Sequence, residues 1–569
     1  MNKLARARAL PRPRSYPRKR RQASGWTVAI LVIALLVAAP IALVLASLFV
    51  PANDVWRHLS TTVLPRYVAN SLWLMMGVGV GTFVVGVGAA WLTTMCRFPG
   101  RRVFEWALLL PMAIPAYILA YTYTDFLQFS GPVQSLLRDA FSLGAGEYWF
   151  PEVRSLGGAV TMLTLALYPY VYLLARAAFL EQSTTVLEAA QCLRCNPWGS
   201  FFRLSLPLAR PAIVAGVALA LMETLSDFGT VEYFGVQTFT TGIYRTWFGL
   251  GDRVAAVQLA AWLLVVVLVL LFLERRSRRR FEQPLRSSRF STLLSYDLKG
   301  VRAVGAFVAC LLPVALGFLL PAGVLLELSL RAQDTLNTQP WGYARNSLLL
   351  AGIAALLAVI LGLVLAYGVR IRPTRLNRTA TRVASMGYAV PGSVIAVSVL
   401  ISFGWADNRL DAAMQGAFGI STGLLLSGTI VGLIFAYLVR FLTASFSTLE
   451  AGLGAITKTM DDAARSLGQR SVARLLKVHV PLLRGSLLTA ALLVFVDVIK
   501  ELPATLIVRP FNLDTLAVRV YRLASDERLL EASSGALLIV AAGILPVIAL
   551  SVAITRSRQR KAQLRGDKR

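Results

Sequence analysis

Four acidic residues carry the most specific chemistry in this sequence. Glu223 and Asp227 are spaced i, i+4, as are Asp497 and Glu501, and both pairs fall in or at the mouth of an apolar run. That spacing places two carboxylates on one helix face, and acids at membrane depth are costly enough to mark functional sites. Carboxylate oxygens are the ligands that hard cations prefer, so the four acids suit a cation path. Lys500 stands beside Glu501 and is able to satisfy one of them. The same residues equally suit interhelical ion pairs and helix N-caps, and spacing alone does not choose between the roles.

Other reactive-looking patterns fall short. The run Gly452-Leu453-Gly454-Ala455-Ile456-Thr457-Lys458-Thr459 approaches a phosphate loop, but Thr457 stands where glycine is required and no strand precedes it. The chain is therefore not expected to hydrolyse ATP. Gly77, Gly79, Gly81, Gly86 and Gly88 lie inside an apolar span and read as close helix packing, with Gly77 and Gly81 as a GxxxG pair. Cys192 and Cys195 have C-x-x-C spacing without a second pair or a nearby histidine, which reads as free thiols. Four cysteines and two histidines in all leave no framework for zinc or haem, and no metal or other cofactor is expected to reside in this chain.

The elements that must position the acids are membrane helices. A chain of 569 residues that is 56% hydrophobic and 15% charged is too apolar for a soluble core. Twelve apolar stretches approach the roughly 20 residues needed to span a bilayer: about 26–50, 69–95, 104–127, 156–178, 210–227, 255–273, 303–327, 346–369, 384–403, 421–440, 485–500 and 532–554. The first exceeds a signal-peptide core and lacks a small-residue cleavage site, so it is expected to be retained. Of the net charge of +29, +21 gathers in residues 1–22, 274–302 and 555–569, with +9, +6 and +6. These fall before the first span, after the sixth and after the last, which places all three on the cytoplasmic side by the positive-inside rule. Anionic lipid and orientation account for that charge, and nucleic acid is not an expected partner. Pro11, Pro13 and Pro17 within a weakly apolar start predict that residues 1–22 have no fixed fold.

The chain is also a repeat. A shift of 276 lays Asn70-Ser71-Leu72 on Asn346-Ser347-Leu348, Gly86 on Gly362, Arg102 on Arg378, and Ala113 and Pro115 on Ala389 and Pro391. A shift of 274 lays Glu188-Ala189-Ala190 on Asp462-Ala463-Ala464, Pro207 on Pro481, Glu223 on Asp497 and Asp227 on Glu501. With six spans each, the halves share one orientation and form parallel repeats about an axis along the membrane normal. The expected organisation is a basic cytoplasmic tail at 1–25, repeats at 26–274 and 303–554, a basic linker at 275–302 and a second basic tail at 555–569.

Between the fourth and fifth spans of each half, an acid and two alanines are followed seventeen residues later by proline. The copies run from Glu188-Ala189-Ala190 to Leu204-Ser205-Leu206-Pro207, and from Asp462-Ala463-Ala464 through Gly468 to Val478-His479-Val480-Pro481. Small alanines let a short helix approach another surface closely, Gly468 permits the turn that ends it, and the prolines restart the chain before a membrane helix. This pattern resembles the EAA loop of binding-protein-dependent ABC importers. Departures are Arg194 for the family's glycine, Leu204 for isoleucine and Asp462 for glutamate. The resemblance implies an all-α integral membrane protein with the type I ABC importer permease fold. It further implies coupling helices at both segments, two copies of a cytoplasmic ATPase subunit that use ATP and Mg, and a periplasmic substrate-binding protein.

A narrower resemblance is carried by Lys500-Glu501-Leu502-Pro503-Ala504-Thr505-Leu506, Arg509-Pro510-Phe511, Asp514-Thr515-Leu516-Ala517-Val518 and Ser525-Asp526-Glu527-Arg528. With Ser226-Asp227-Phe228-Gly229-Thr230 and Gly242-Ile243-Tyr244-Arg245-Thr246, these are similar to the ferric-iron permeases of the ABC family, over most of 60–554. The resemblance implies a multi-pass protein of the bacterial cell inner membrane that imports ferric iron, with Glu223, Asp227, Asp497, Lys500 and Glu501 along its pathway. Related fused permeases carry thiamine, phosphonates or other small solutes. A secondary transporter driven by an ion gradient would share the parallel repeat and the acids, but has no reason to carry two matched EAA-type segments.

Overall fold

The computed structural model describes residues 25–51, 53–144, 147–181, 197–279, 296–332 and 339–566. Glu188, Ala189, Ala190, Cys192, Arg194 and Cys195 lie outside the described residues, as do most of the N-terminal tail and of the linker. Over the described residues the chain is helical, apart from one pairing of two short strands.

Nine helices are long and apolar enough to cross a membrane, and three sharply bent pairs bring the described total to as many as 12. Each falls on one of the stretches expected from hydropathy. The third and ninth spans share a break at the matched prolines of the repeat. In each, a short 3-10 turn (Leu110–Ala113, Gly387–Ala389) is followed by an extended residue and then by proline, after which the helix restarts in a new direction. Ile114 and Val390 are extended, with ψ of 116° and 126°, because the rings of Pro115 and Pro391 disfavour helical backbone in the preceding residue. The bends are 89° and 116°. The eleventh span, Arg484–Ile499, lies at 81° to the segment Ser471–Leu482 before it.

Several boundaries differ from expectation. The third span is broken rather than continuous over 104–127, and the fifth begins at Phe201 rather than near 210. The ninth runs on to Phe418, and the tenth spans Ile430–Gly454 instead of 421–440. The misread stretch is an apolar loop. Gly419, Gly423 and Gly428 all have positive φ; the Asp411 carboxylate accepts the backbone N–H groups of Thr422 and Gly423, and Asp407 those of Leu425, Leu426 and Ser427. Backbone satisfied by side chains needs no helix.

The second span packs on the fourth through its glycines. A side-chain carbon added at Gly77 would lie 2.8 Å from Val160, one at Gly81 2.5 Å from Thr164, and one at Gly86 3.0 Å from the backbone of Tyr168 and Tyr172. Gly362 meets Ser445 and Phe446 in the same way between the eighth and tenth spans. Gly86→Leu must therefore move backbone, and is expected to cost about 3 kcal/mol or more, at the upper end of overpacking. Gly88→Leu, which opens into free space, should stay within about 0.5 kcal/mol. Thermal unfolding of the two variants in detergent makes the comparison, and equal melting temperatures would refute the packing argument.

The two halves are interlocked. The first span lies on the second half: Trp26 meets Tyr367 edge to face at 5.2 Å, and Asn377 donates to Thr27 Oγ1 at 3.4 Å. Reciprocally, the seventh span (Val301–Arg331) lies on the first half, where Tyr123 donates to the Leu316 carbonyl at 2.5 Å and Phe307 packs on Phe104. Where the linker re-enters the described chain, Tyr296–Asp297 pairs in parallel with Cys96–Arg97 at the end of the second span.

Candidate functional site

The ends of the fifth and eleventh spans meet the two proline breaks around a cavity of about 130 Å³. Glu223, Asp227, Asp497 and Glu501 all line it, with Lys500 between the acids of the second half. The structure thus brings together every sequence-predicted pathway residue. Asp227 and Glu501, however, do not extend a continuous helical face, because their helices stop at Ser226 and Ile499. Each instead caps the short helix that follows. Asp227 Oδ1 accepts the N–H groups of Thr230 and Val231 at 3.1 and 3.2 Å. Glu501 accepts those of Ala504 and Thr505, both at 2.9 Å. A carboxylate at this position satisfies orphan donors and faces the positive end of the helix dipole.

The cations of the cavity both come from the second half. Lys500 pairs with Asp497 at 2.9 Å, not with the adjacent Glu501. Glu501 is taken by Arg440 of the tenth span, whose Nη1 donates to Oε1 at 2.9 Å, with both groups buried. Arg440 was not foreseen, since its partner is remote in sequence and it stands at the very end of the expected tenth span. Its other amino group crosses to the first half, donating to Ser226 Oγ at 3.1 Å and approaching Glu223 at 3.6 Å. Ser226 Oγ in turn accepts the Gly392 N–H at 3.2 Å. An added carbon at Gly392 would press on the Arg440 guanidinium and the Glu501 carboxylate and displace their pairing. Arg440 is thus a contact at which charge from one half meets the other. Among the described residues, no three acidic, histidine or cysteine side chains converge as a metal cage.

The second EAA-type segment forms a helix at Lys458–Ser466 that ends at Gly468, whose φ is +74°. Asp462 and Ala463 are exposed, whereas Ala464 is turned inward. Its neighbour Asp461 ties the helix to the bundle. The Asp461 carboxylate accepts from Arg370 Nε at 2.8 Å and meets His479 Nε2 at 2.7 Å. Arg370 also donates to the carbonyls of Leu453 and Ile456, closing the end of the tenth span. Burial alone would raise the Asp461 carboxyl, but the hydrogen bonds from Arg370 and His479 hold it below the usual carboxylate range. Pro481 lies just before the bend into the eleventh span, whereas Pro207 follows Leu206 in the first turn of a helix that continues through Ser226. Gly452 and Gly454 of the phosphate-loop look-alike belong to the end of the tenth span, and Gly452 packs against Ser486.

Comparison with known proteins agrees with this architecture. The family model described as "Binding-protein-dependent transport system inner membrane component" matches residues 82–283. The "Fe(3+)-transport system permease protein FbpB 2" of Haemophilus influenzae is 25% identical over 530 residues, covering 91% of this chain and 96% of the relative. The "Ferric transport system permease protein FbpB" of Actinobacillus pleuropneumoniae is 26% identical, covering 90% of this chain and 75% of the relative. The "Sulfate transport system permease protein CysT" of Escherichia coli K12 is 30% identical over 203 residues, covering 35% of this chain and 70% of the relative. That last match is shorter than one repeat of this chain.

Proposed function

This chain belongs to the binding-protein-dependent transport system inner-membrane components, and from that premise we propose that it is the permease subunit of an ATP-driven importer of ferric iron. The observation that carries the cargo reading is the charge of the shared cavity, where four carboxylates face two cations. A surplus of hard oxygen ligands favours a hard cation over an anion or a neutral solute. The full-length likeness to permeases named for ferric iron supports the same choice.

In this reading a loaded periplasmic binding protein docks on the side remote from the EAA-type segments. Two cytoplasmic ATPase subunits bind the segments that run from Glu188 to Pro207 and from Asp462 to Pro481. ATP and Mg are used by those subunits, and the basic tails and linker lie in the cytoplasm, as the positive-inside rule requires. ATP binding drives the halves apart on the periplasmic side by its differential affinity for the two states, which is the only way a ligand shifts such an equilibrium. Asp227 and Glu501 are committed to helix ends, so the acids offered to the arriving cation are Glu223 and Asp497, which must be released by their partners Arg440 and Lys500.

Labelled ferric-iron uptake tests this in cells lacking the gene and any redundant iron system, with labelled thiamine as the comparison. Iron uptake should be lost, restored by the intact gene, and not restored by a Glu223→Gln, Asp497→Asn variant. It should collapse on ATP depletion and survive an uncoupler. Unchanged iron uptake in the deleted strain would overturn the cargo, and collapse with the uncoupler alone would overturn ATP as the driver.

A further inference from the structure

The outer surface between the second, fifth and sixth spans folds inward into a groove of about 670 Å³. Its walls are apolar, formed by Val80 and Phe83 of the second span, Val217 and Leu221 of the fifth, and Leu270 and Leu273 of the sixth. Val80 and Leu273 remain more than half exposed, so the groove opens sideways toward the bilayer rather than into the protein core. Charge appears only at one end, where Arg210 and Glu274 line it beside Leu206 and Pro207. That end adjoins the first EAA-type segment and the start of the basic linker. Arg203, Arg275 and Arg276 are exposed around it.

The dimensions select an occupant. From Leu206 to Leu221 the fifth span rises roughly 22 Å at about 1.5 Å per residue, somewhat more than one leaflet of a hydrocarbon core about 30 Å thick. An apolar slot that starts at headgroup level and ends near the midplane matches one phospholipid tail. Three exposed arginines beyond Arg210 and Glu274 complement an anionic headgroup, since basic pockets between spans on the cytoplasmic side hold such lipids. A helical peptide or a second copy would present no headgroup charge to this end, whereas this slot is apolar along its walls and charged at one end only.

We propose that this groove binds one anionic phospholipid, with an acyl chain along Val80, Val217 and Leu270 and the headgroup among the arginines at the root of the first EAA-type segment. The site does not depend on which cargo the pathway carries.

The test uses the intact transporter complex purified from a bilayer of mixed phosphatidylglycerol and phosphatidylcholine, read by native mass spectrometry and by thermal unfolding. The wild-type complex should retain one phosphatidylglycerol that phosphatidylcholine does not replace, and added phosphatidylglycerol should raise its melting temperature. Filling the groove from its exposed side with Val80→Trp and Leu273→Trp should remove that lipid. An Arg203→Gln, Arg275→Gln, Arg276→Gln variant, altered only at exposed positions, should keep a lipid but lose the preference for phosphatidylglycerol. Equal retention of the two lipids by wild type, or an unchanged preference in the arginine variant, would overturn the proposal. So would undiminished phosphatidylglycerol in a folded, groove-filled variant.

Discussion

Replacing Arg440 with glutamine is expected to leave an importer whose halves no longer close properly. Two of its contacts behave differently when the halves move. The bond to Glu501 lies within the second half and can persist in every state, whereas those to Ser226 and Glu223 cross between halves and must break when the cavity opens. Only the crossing contacts bias the equilibrium. Hydrogen bonds to charged groups are worth about 1.5–3 kcal/mol, so their loss shifts the equilibrium roughly 10- to 100-fold toward open states. Import should fall accordingly, while ATP hydrolysis by the complex should proceed without the loaded binding protein. Stability should fall too, because stranding the buried Glu501 carboxylate costs roughly 3–5 kcal/mol. Ser226→Ala removes the crossing contacts with Arg440 and with the Gly392 N–H while leaving Glu501 paired, and should shift ATPase activity in the same direction with a smaller fall in melting temperature than Arg440→Gln. Arg440→Lys supplies one point charge where a fork serves two halves, and should rescue only in part. Wild-type import and binding-protein dependence in Arg440→Gln would sink the latch.

The second large effect is expected at Ala463. On the helix Lys458–Ser466 the adjacent alanines face opposite ways, Ala463 outward and Ala464 inward. Ala463→Arg adds bulk and charge to the presented face and leaves the bundle untouched. Binding-protein-stimulated ATPase activity and import should both drop by about tenfold or more, the consequence of about 1.4 kcal/mol lost at an interface, with an unchanged melting temperature. Ala464→Arg should instead lower the melting temperature, because it forces a charge into a buried position. Full stimulation of ATPase activity by the Ala463→Arg complex would remove this helix from the coupling interface.

What the sequence made legible follows from which forces are local. Long apolar runs and the internal repeat located every span, and the repeat matched Pro115 to Pro391, but the breaks that these prolines make in both halves were not read from it. The four acids were correctly gathered at one place because the repeat forced equivalent positions on them. Hydropathy failed at residues 419–429, where three positive-φ glycines and two acids about ten residues upstream make a loop from apolar residues. That error put Arg440 at the very end of its expected span, whereas in the helix Ile430–Gly454 it lies well inside. Its partners, Glu501 and Ser226, are 61 and 214 residues away, beyond any periodicity. The neighbour in sequence, Lys500, was the natural partner for Glu501, yet helix geometry turned it back onto Asp497.

The exchange of first spans has a consequence for how the chain is made. The helix Gly25–Phe49 packs on residues from Tyr367 to Asn377 and beyond, which are synthesised some 350 residues later. At about 5–20 residues per second this helix waits roughly 20–70 seconds in lipid before its second-half partners exist, with the sixth span beside it sooner, where Gln258 donates to the Val50 carbonyl. It is suited to waiting, since it carries no charged residue from Gly25 to Phe49, and a lone helix in the bilayer needs only its own backbone hydrogen bonds. The seventh span meets the reverse situation, because its first-half neighbours Phe104 and Tyr123 are already in place when it emerges. Biogenesis of the two repeats is therefore sequentially unequal even though their architecture is matched: the nascent first half cannot close until the second is well under way, and a ribosome stalled in the linker would leave a half-permease whose first helix lacks its second-half partners.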